Sequence, residues 1–73
     1  MPLSPLPYRD VRRKLLAAGF TEVGQRGSHV KFAKNEAQGI RTAIVPHHRE
    51  VALGTLRSIL RQAGLTLEQF ESL

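Results

Sequence analysis

Gln25-Arg26-Gly27-Ser28-His29-Val30-Lys31-Phe32 is the stretch on which the reading of this chain turns. Gly27 lets the backbone turn. Behind it, polar and apolar residues alternate from His29 to Ala33, the pattern of a short strand with one face in a core. Val30 and Phe32 then point inward, and His29 and Lys31 share the opposite, solvated face. A histidine therefore stands at the mouth of a strand, with Arg26, Ser28 and Lys31 close by in sequence. Imidazole, hydroxyl and cationic groups brought together can bind a phosphate and move a proton. A histidine beside a glycine is also an ordinary strand-end residue, so the local pattern leaves both readings open.

Working upstream, Tyr8, Val11, Leu15 and Ala18 recur at helical spacing with Leu16 widening the stripe, while Arg9, Arg12, Arg13 and Lys14 take the other faces. This predicts an amphipathic helix over 8–18, ended by Gly19, with Phe20 folding back on its last turn. Prolines at positions 2, 5 and 7 make residues 1–7 an extended arm. Phe20 to Gly24 gives a first strand whose inward face the pattern leaves open.

Downstream, Lys34 to Gly39 reads as a polar hairpin connection, Ile40 to Val45 as a third strand ended by Pro46, and His47 to Glu50 as a polar loop. Leu53, Leu56, Leu60 and Ala63, with Ile59 beside them, predict a second helix stopped by Gly64, with Arg57 and Arg61 four apart on its solvent side. Thr66 with Gln69 is a capping box that opens a short last helix, Leu67 to Glu71, and Leu65 and Phe70 are placed to staple it. The order is α-β-β-β-α with a short C-terminal helix. Helices gathered on one face of an antiparallel sheet make this an α+β fold.

The 73 residues suffice for one domain with a modest core spanning 1–73. Lys and Arg outnumber Asp and Glu by 11 to 6, a net charge of +5 that favours a polyanionic partner yet lies within what solubility alone requires. Cysteine is absent, which excludes disulfides and thiolate chemistry and points to the cytoplasm. Neither a signal peptide nor an apolar run of membrane-spanning length is present, so no membrane partner is expected.

His47 and His48 are adjacent, the acids Asp10, Glu22, Glu36 and Glu50 are dispersed, and no H-E-x-x-H spacing exists, so neither a metal site nor a cofactor is expected. The chemistry left open is metal-free work on an RNA phosphodiester, where the 2′-hydroxyl is the nucleophile and the protein need only move protons and stabilise charge. His29 suits proton transfer, Lys31 and Arg26 charge stabilisation, and Ser28 a hydrogen bond to a phosphate oxygen. His47 or His48 is the available partner imidazole. Arg9, Arg12, Arg13, Lys14, Arg57 and Arg61 extend the cationic surface available to RNA. The same surface also suits a domain that binds RNA without cleaving it, or a module that meets only an acidic protein.

Leu16-Ala17-Ala18-Gly19-Phe20, Arg26-Gly27-Ser28-His29, Val45-Pro46 with a nearby histidine, and Gly54 to Leu65 running on to Phe70 occur together and in order. In this combination the chain closely resembles the HicA toxin family of toxin-antitoxin pairs, small mRNA interferases. The resemblance implies a fold like the double-stranded RNA-binding domain, with His29 as the catalytic histidine of a metal-independent endoribonuclease. It also implies a HicB-like antitoxin that covers the site, with operator DNA contacted only through the antitoxin complex. The family has one variable residue between the proline and the loop histidine, which matches His48; here His47 fills that place, and the stretch from Pro46 to Gly54 is short.

Overall fold

Why the central strand sits where it does follows from its alternation: Val30 and Phe32 are fully buried, whereas His29 and Lys31 are exposed. The computed structural model describes residues 3–73, and Met1 and Pro2 of the expected arm lie outside the described residues. In chain order the elements are β1 (Leu6–Pro7), α1 (Tyr8–Ala17), β2 (Thr21–Arg26), β3 (His29–Glu36), β4 (Gly39–Pro46), β5 (Glu50–Val51), α2 (Leu53–Ala63) and α3 (Leu67–Glu71). β2, β3 and β4 form an antiparallel sheet in that spatial order, with β3 in the middle. This is the α+β arrangement expected from the sequence, one helix, a three-stranded meander and two further helices.

One core joins the layers. Val11 and Leu15 from α1, Leu56 and Ile59 from α2, and Phe70 from α3 are buried with Val30, Phe32, Ala43 and Val45 of the sheet. Each large side chain of this kind contributes roughly 1.5–3 kcal/mol through removal from water. The thin dimension of the molecule is 17 Å, that of a single helix layer on a single sheet. The capping box predicted for α3 is present in full: the Thr66 hydroxyl accepts from the Gln69 N–H and the Gln69 side chain accepts from the Thr66 N–H. Gly64 ends α2 in the left-handed region at φ 69°, where any Cβ would also lie 2.7 Å from the Arg41 guanidinium.

Two expectations need correction. The arm is tethered, because Leu6 and Pro7 pair with Val51 and Glu50, so β5 begins at the end of the stretch His47 to Glu50 read as a polar loop and runs on to the fully buried Val51. The hairpin connection is also shorter than its composition suggests. Lys34, Asn35 and Glu36 remain in β3, paired with Arg41, Ile40 and Gly39, and the turn is only Ala37–Gln38. Polar residues persist in a strand here because this end of the sheet meets water, and an ion pair from Arg41 Nε to Glu36 Oε1 at 2.9 Å spans it. β2, whose inward face the sequence leaves open, is exposed along its whole length. A bulge between Glu22 and Gly24 breaks its register, so Val23 stays 55% exposed rather than entering the core.

Candidate functional site

The site is built on two tight pieces of backbone. The first is the β2–β3 turn, in which Arg26 pairs directly with His29 and leaves only Gly27 and Ser28 between the strands. Gly27 has φ 57° and, among the described residues, no non-glycine residue has positive φ, which is the two-residue hairpin with glycine in its first central position. That geometry fixes where β3 begins, and so which face His29 takes. Across the outer face, His29 is flanked by Arg26 on β2 and Pro46 on β4, and Lys31 by Gly24 and Ile44. Arg26, His29, Lys31 and Ile44 together line a shallow depression there.

The second piece is the loop that follows β4. The His47 N–H donates to the Ser28 carbonyl, tying this loop to the turn that carries His29. The two histidines line a common pocket beside Tyr8 and Arg9 but differ in their other contacts. The His47 ring stacks on Tyr8 with centroids 3.9 Å apart and planes inclined by 22°. His48 instead borders a groove of about 440 Å³ where the outer face of the sheet meets α2, and His29 lines the same groove. The β1–β5 pairing braces the far end of the loop.

Glu50 contributes a carboxylate to the groove, and α2 supplies Thr55, Ser58 and Gln62. Gln62 accepts from the Ile44 N–H at 3.0 Å and donates to Ser58 Oγ at 3.1 Å, which caps the free edge of β4. None of these three α2 residues was singled out from the sequence. Their i, i+3, i+7 spacing marks a polar stripe, but nothing in the pattern says that this stripe faces a sheet edge.

The remaining cations are dispersed. Arg57 and Arg61 are exposed on α2, beside the Ser58 stripe, and Arg13 is exposed on α1. Arg9 lies near the histidine loop together with Arg49, a cation the sequence reading passed over. Arg12 pairs with Glu22 at 3.2 Å. Lys14 donates to the carbonyls of Phe70 and Leu73 at 3.0 and 3.1 Å and lies over the Phe70 ring, so its ammonium pins the C-terminal helix. Ser28 is exposed in the turn and meets the site through its carbonyl. Burial, with a further push from the Glu22 carboxylate and against the pull of Arg12, holds the Tyr8 hydroxyl above its ordinary value. Among the described residues, no group of three or more His, Asp or Glu side chains is placed to hold a metal ion, and no helix is long and apolar enough to cross a membrane.

The family model for the HicA toxin of bacterial toxin-antitoxin systems matches residues 8–65. The chain belongs to the HicA toxin family. No curated protein matches it. The span matched to HicA begins at Tyr8, the base of the His47 stack, and ends at Leu65, just beyond α2. It therefore contains every side chain of the groove and leaves out the arm and α3. Membership in HicA supports a toxin role and implies an antitoxin as partner.

Proposed function

We propose that the protein is a metal-independent endoribonuclease toxin that cleaves mRNA and is held in check by a HicB-like antitoxin. The observation that carries this reading is that His29 and His48 line one groove beside a cationic sheet face, while His47 is committed to Tyr8. Two imidazoles facing a common space are the minimum for acid–base cleavage of RNA. One removes the proton from the 2′-hydroxyl as its oxygen attacks phosphorus. The other gives a proton to the departing 5′-oxygen. The P–O5′ bond breaks as the P–O2′ bond forms, so the products are a 2′,3′-cyclic phosphate and a 5′-hydroxyl. Arg26 and Lys31 stabilise the charge that builds on the non-bridging oxygens, and the exposed Arg57 and Arg61 guide the strand along α2. The HicB-like antitoxin covers the groove, DNA contact arises only in that complex, and the cytoplasm, where mRNA is translated, is the place of action.

The test is a time course on a defined single-stranded RNA in chelator, with wild type beside His29→Ala and the product ends identified. Cyclic phosphate ends from the wild type alone are the expected result. Products with 5′-phosphate ends, or full cleavage by His29→Ala, overturn the mechanism. Binding without cleavage by either protein would favour the RNA-binding alternative, for which the exposed cations are the supporting observation.

A further inference from the structure

The orientation of the Gln62 side chain is set by chemistry at both ends. The Ile44 N–H is a backbone donor and can do nothing but donate, so the Gln62 atom 3.0 Å from it is the amide oxygen. The amide nitrogen then faces Ser58 Oγ at 3.1 Å and donates to it. Ser58 is thereby fixed as the acceptor in that bond. A hydroxyl has one proton of its own to give, and among the described residues the Ser58 hydroxyl has no acceptor for it. The space Ser58 borders is the groove of His29 and His48.

We infer that Ser58 donates a hydrogen bond to a phosphate oxygen of RNA bound in this groove, and that Gln62 is the positioning residue that turns the hydroxyl outward. The inference rests on the RNA-cleaving reading above and adds to it a contact from α2. The relay runs from the free edge of β4 through Gln62 to Ser58, so the sheet that carries His29 also aims the donor on the helix. A phosphodiester oxygen suits this position because it only accepts, is anionic, and lies next to the atoms the two imidazoles serve. An amide at position 62 gives this direction, and a carboxylate does not. In Gln62→Glu the side chain still accepts from Ile44, but its second oxygen accepts from Ser58 as well and draws the hydroxyl proton away from the groove.

The experiment measures kcat/KM for cleavage of a short RNA, and the affinity for the same sequence as an uncleavable 2′-O-methyl oligonucleotide. Wild type is compared with Ser58→Ala, Ser58→Thr, Gln62→Glu and the double variant Ser58→Ala/Gln62→Glu, with thermal melting as the check on folding. Ser58→Ala is expected to lose about ten- to a hundredfold in kcat/KM, the range for a hydrogen bond to a charged group, and to bind the oligonucleotide more weakly. Ser58→Thr, which keeps the hydroxyl, is expected to retain most activity. Gln62→Glu is expected to match Ser58→Ala and to add nothing on top of it. Wild-type behaviour of Ser58→Ala in both cleavage and binding overturns the inference. An equal loss from Gln62→Glu on the wild-type and Ser58→Ala backgrounds overturns the relay, because the added charge would then act without Ser58. If wild type does not cleave but Ser58→Ala still weakens oligonucleotide binding, the phosphate contact stands and the nuclease reading falls.

Discussion

Both ends of the β-sheet are closed by a two-residue turn and are treated very differently. At one end, the two-residue turn at Gly27 is tied to the His47 loop by a backbone hydrogen bond, and that loop is held by the Tyr8 stack and by the β1–β5 pairing. At the other end, Ala37 and Gln38 turn in open solvent, Ile40 is 70% exposed, and the strands are linked by the exposed Arg41–Glu36 ion pair. The braced end is where the three histidines collect; the free end carries Lys34, Glu36 and Arg41 but no imidazole. Bracing a loop costs ordering entropy, and this small protein concentrates that cost around the histidines. Acid–base groups must be held within hydrogen-bond reach of the reacting atoms, whereas a connecting turn need only close.

The largest effects should come from breaking the braced end at its histidines. His29→Ala and His48→Ala are each expected to lower RNA cleavage by about 10²–10⁴-fold, the usual worth of a general acid or base. His47→Ala should cost much less, since its ring is spent on Tyr8. His29 and His48 are exposed, so melting temperatures of their variants should stay close to wild type, whereas His47→Ala gives up the stack on Tyr8, worth about 0.5–1.5 kcal/mol, and should melt lower. Equal losses at His47 and His48 would show that the division of the loop into a holding and a working residue is mistaken.

A smaller but more direct comparison uses one substitution at both ends. Gly27 and Gly39 have φ values of 57° and 129°, and a Cβ at either position would meet no atom within 4 Å, so Gly→Ala introduces backbone strain without a clash. Each variant should lose about 1 kcal/mol of stability in urea unfolding. Cleavage should fall only in Gly27→Ala, whose turn sets the start of β3 and hence the aim of His29. Arg41→Gln, which breaks the far-end ion pair, should cost at most about 1 kcal/mol because that pair is solvent-exposed, and should leave cleavage unchanged. A fall in activity with Gly39→Ala or Arg41→Gln would mean that the two ends are coupled through β3.

The same contrast explains what could be read from the sequence. α1 and α2 were legible because each buries a stripe of apolar residues at helical spacing, from Val11 and Leu15 to Leu56 and Ile59, and α3, which buries only Phe70, was legible from its capping box. The inward and outward faces of β3 were legible for the same reason, with period two. β2 gave no readable face because none of it is buried, and the bulge at Val23 removes what alternation remained. The polar end of β3 was mistaken for a turn, since its pairing partner, not its composition, makes it a strand. At the candidate site, the signal at His29 lay in a local pattern of glycine turn and alternating strand. Separating His47 from His48 required knowing that Tyr8 lies beside the loop, and finding Ser58 and Gln62 required knowing which face of α2 meets β4. These are contacts between residues distant in sequence, and periodicity within one element carries no record of them.

The smallest expected effect tests the brace without removing it. Burial raises the Tyr8 hydroxyl above its ordinary value of 10.0, so the folded protein keeps this proton at a pH where the unfolded chain has begun to release it. In that window the native state binds more protons than the unfolded state, and stability falls as pH rises. The contribution is complete below about pH 10 and is lost as pH climbs through the folded value. Tyr8→Phe has no such proton but keeps a ring for His47 to stack on. Lysine titration is common to both proteins and cancels in their difference. Urea midpoints measured from pH 8 to 11 should therefore decline less steeply above pH 10 in Tyr8→Phe than in wild type, with cleavage at pH 7 unchanged. Parallel declines would show that the hydroxyl is as well solvated in the fold as in the open chain. A loss of cleavage in Tyr8→Phe at pH 7 would instead mean that the hydroxyl, and not the ring, is what holds the histidine loop.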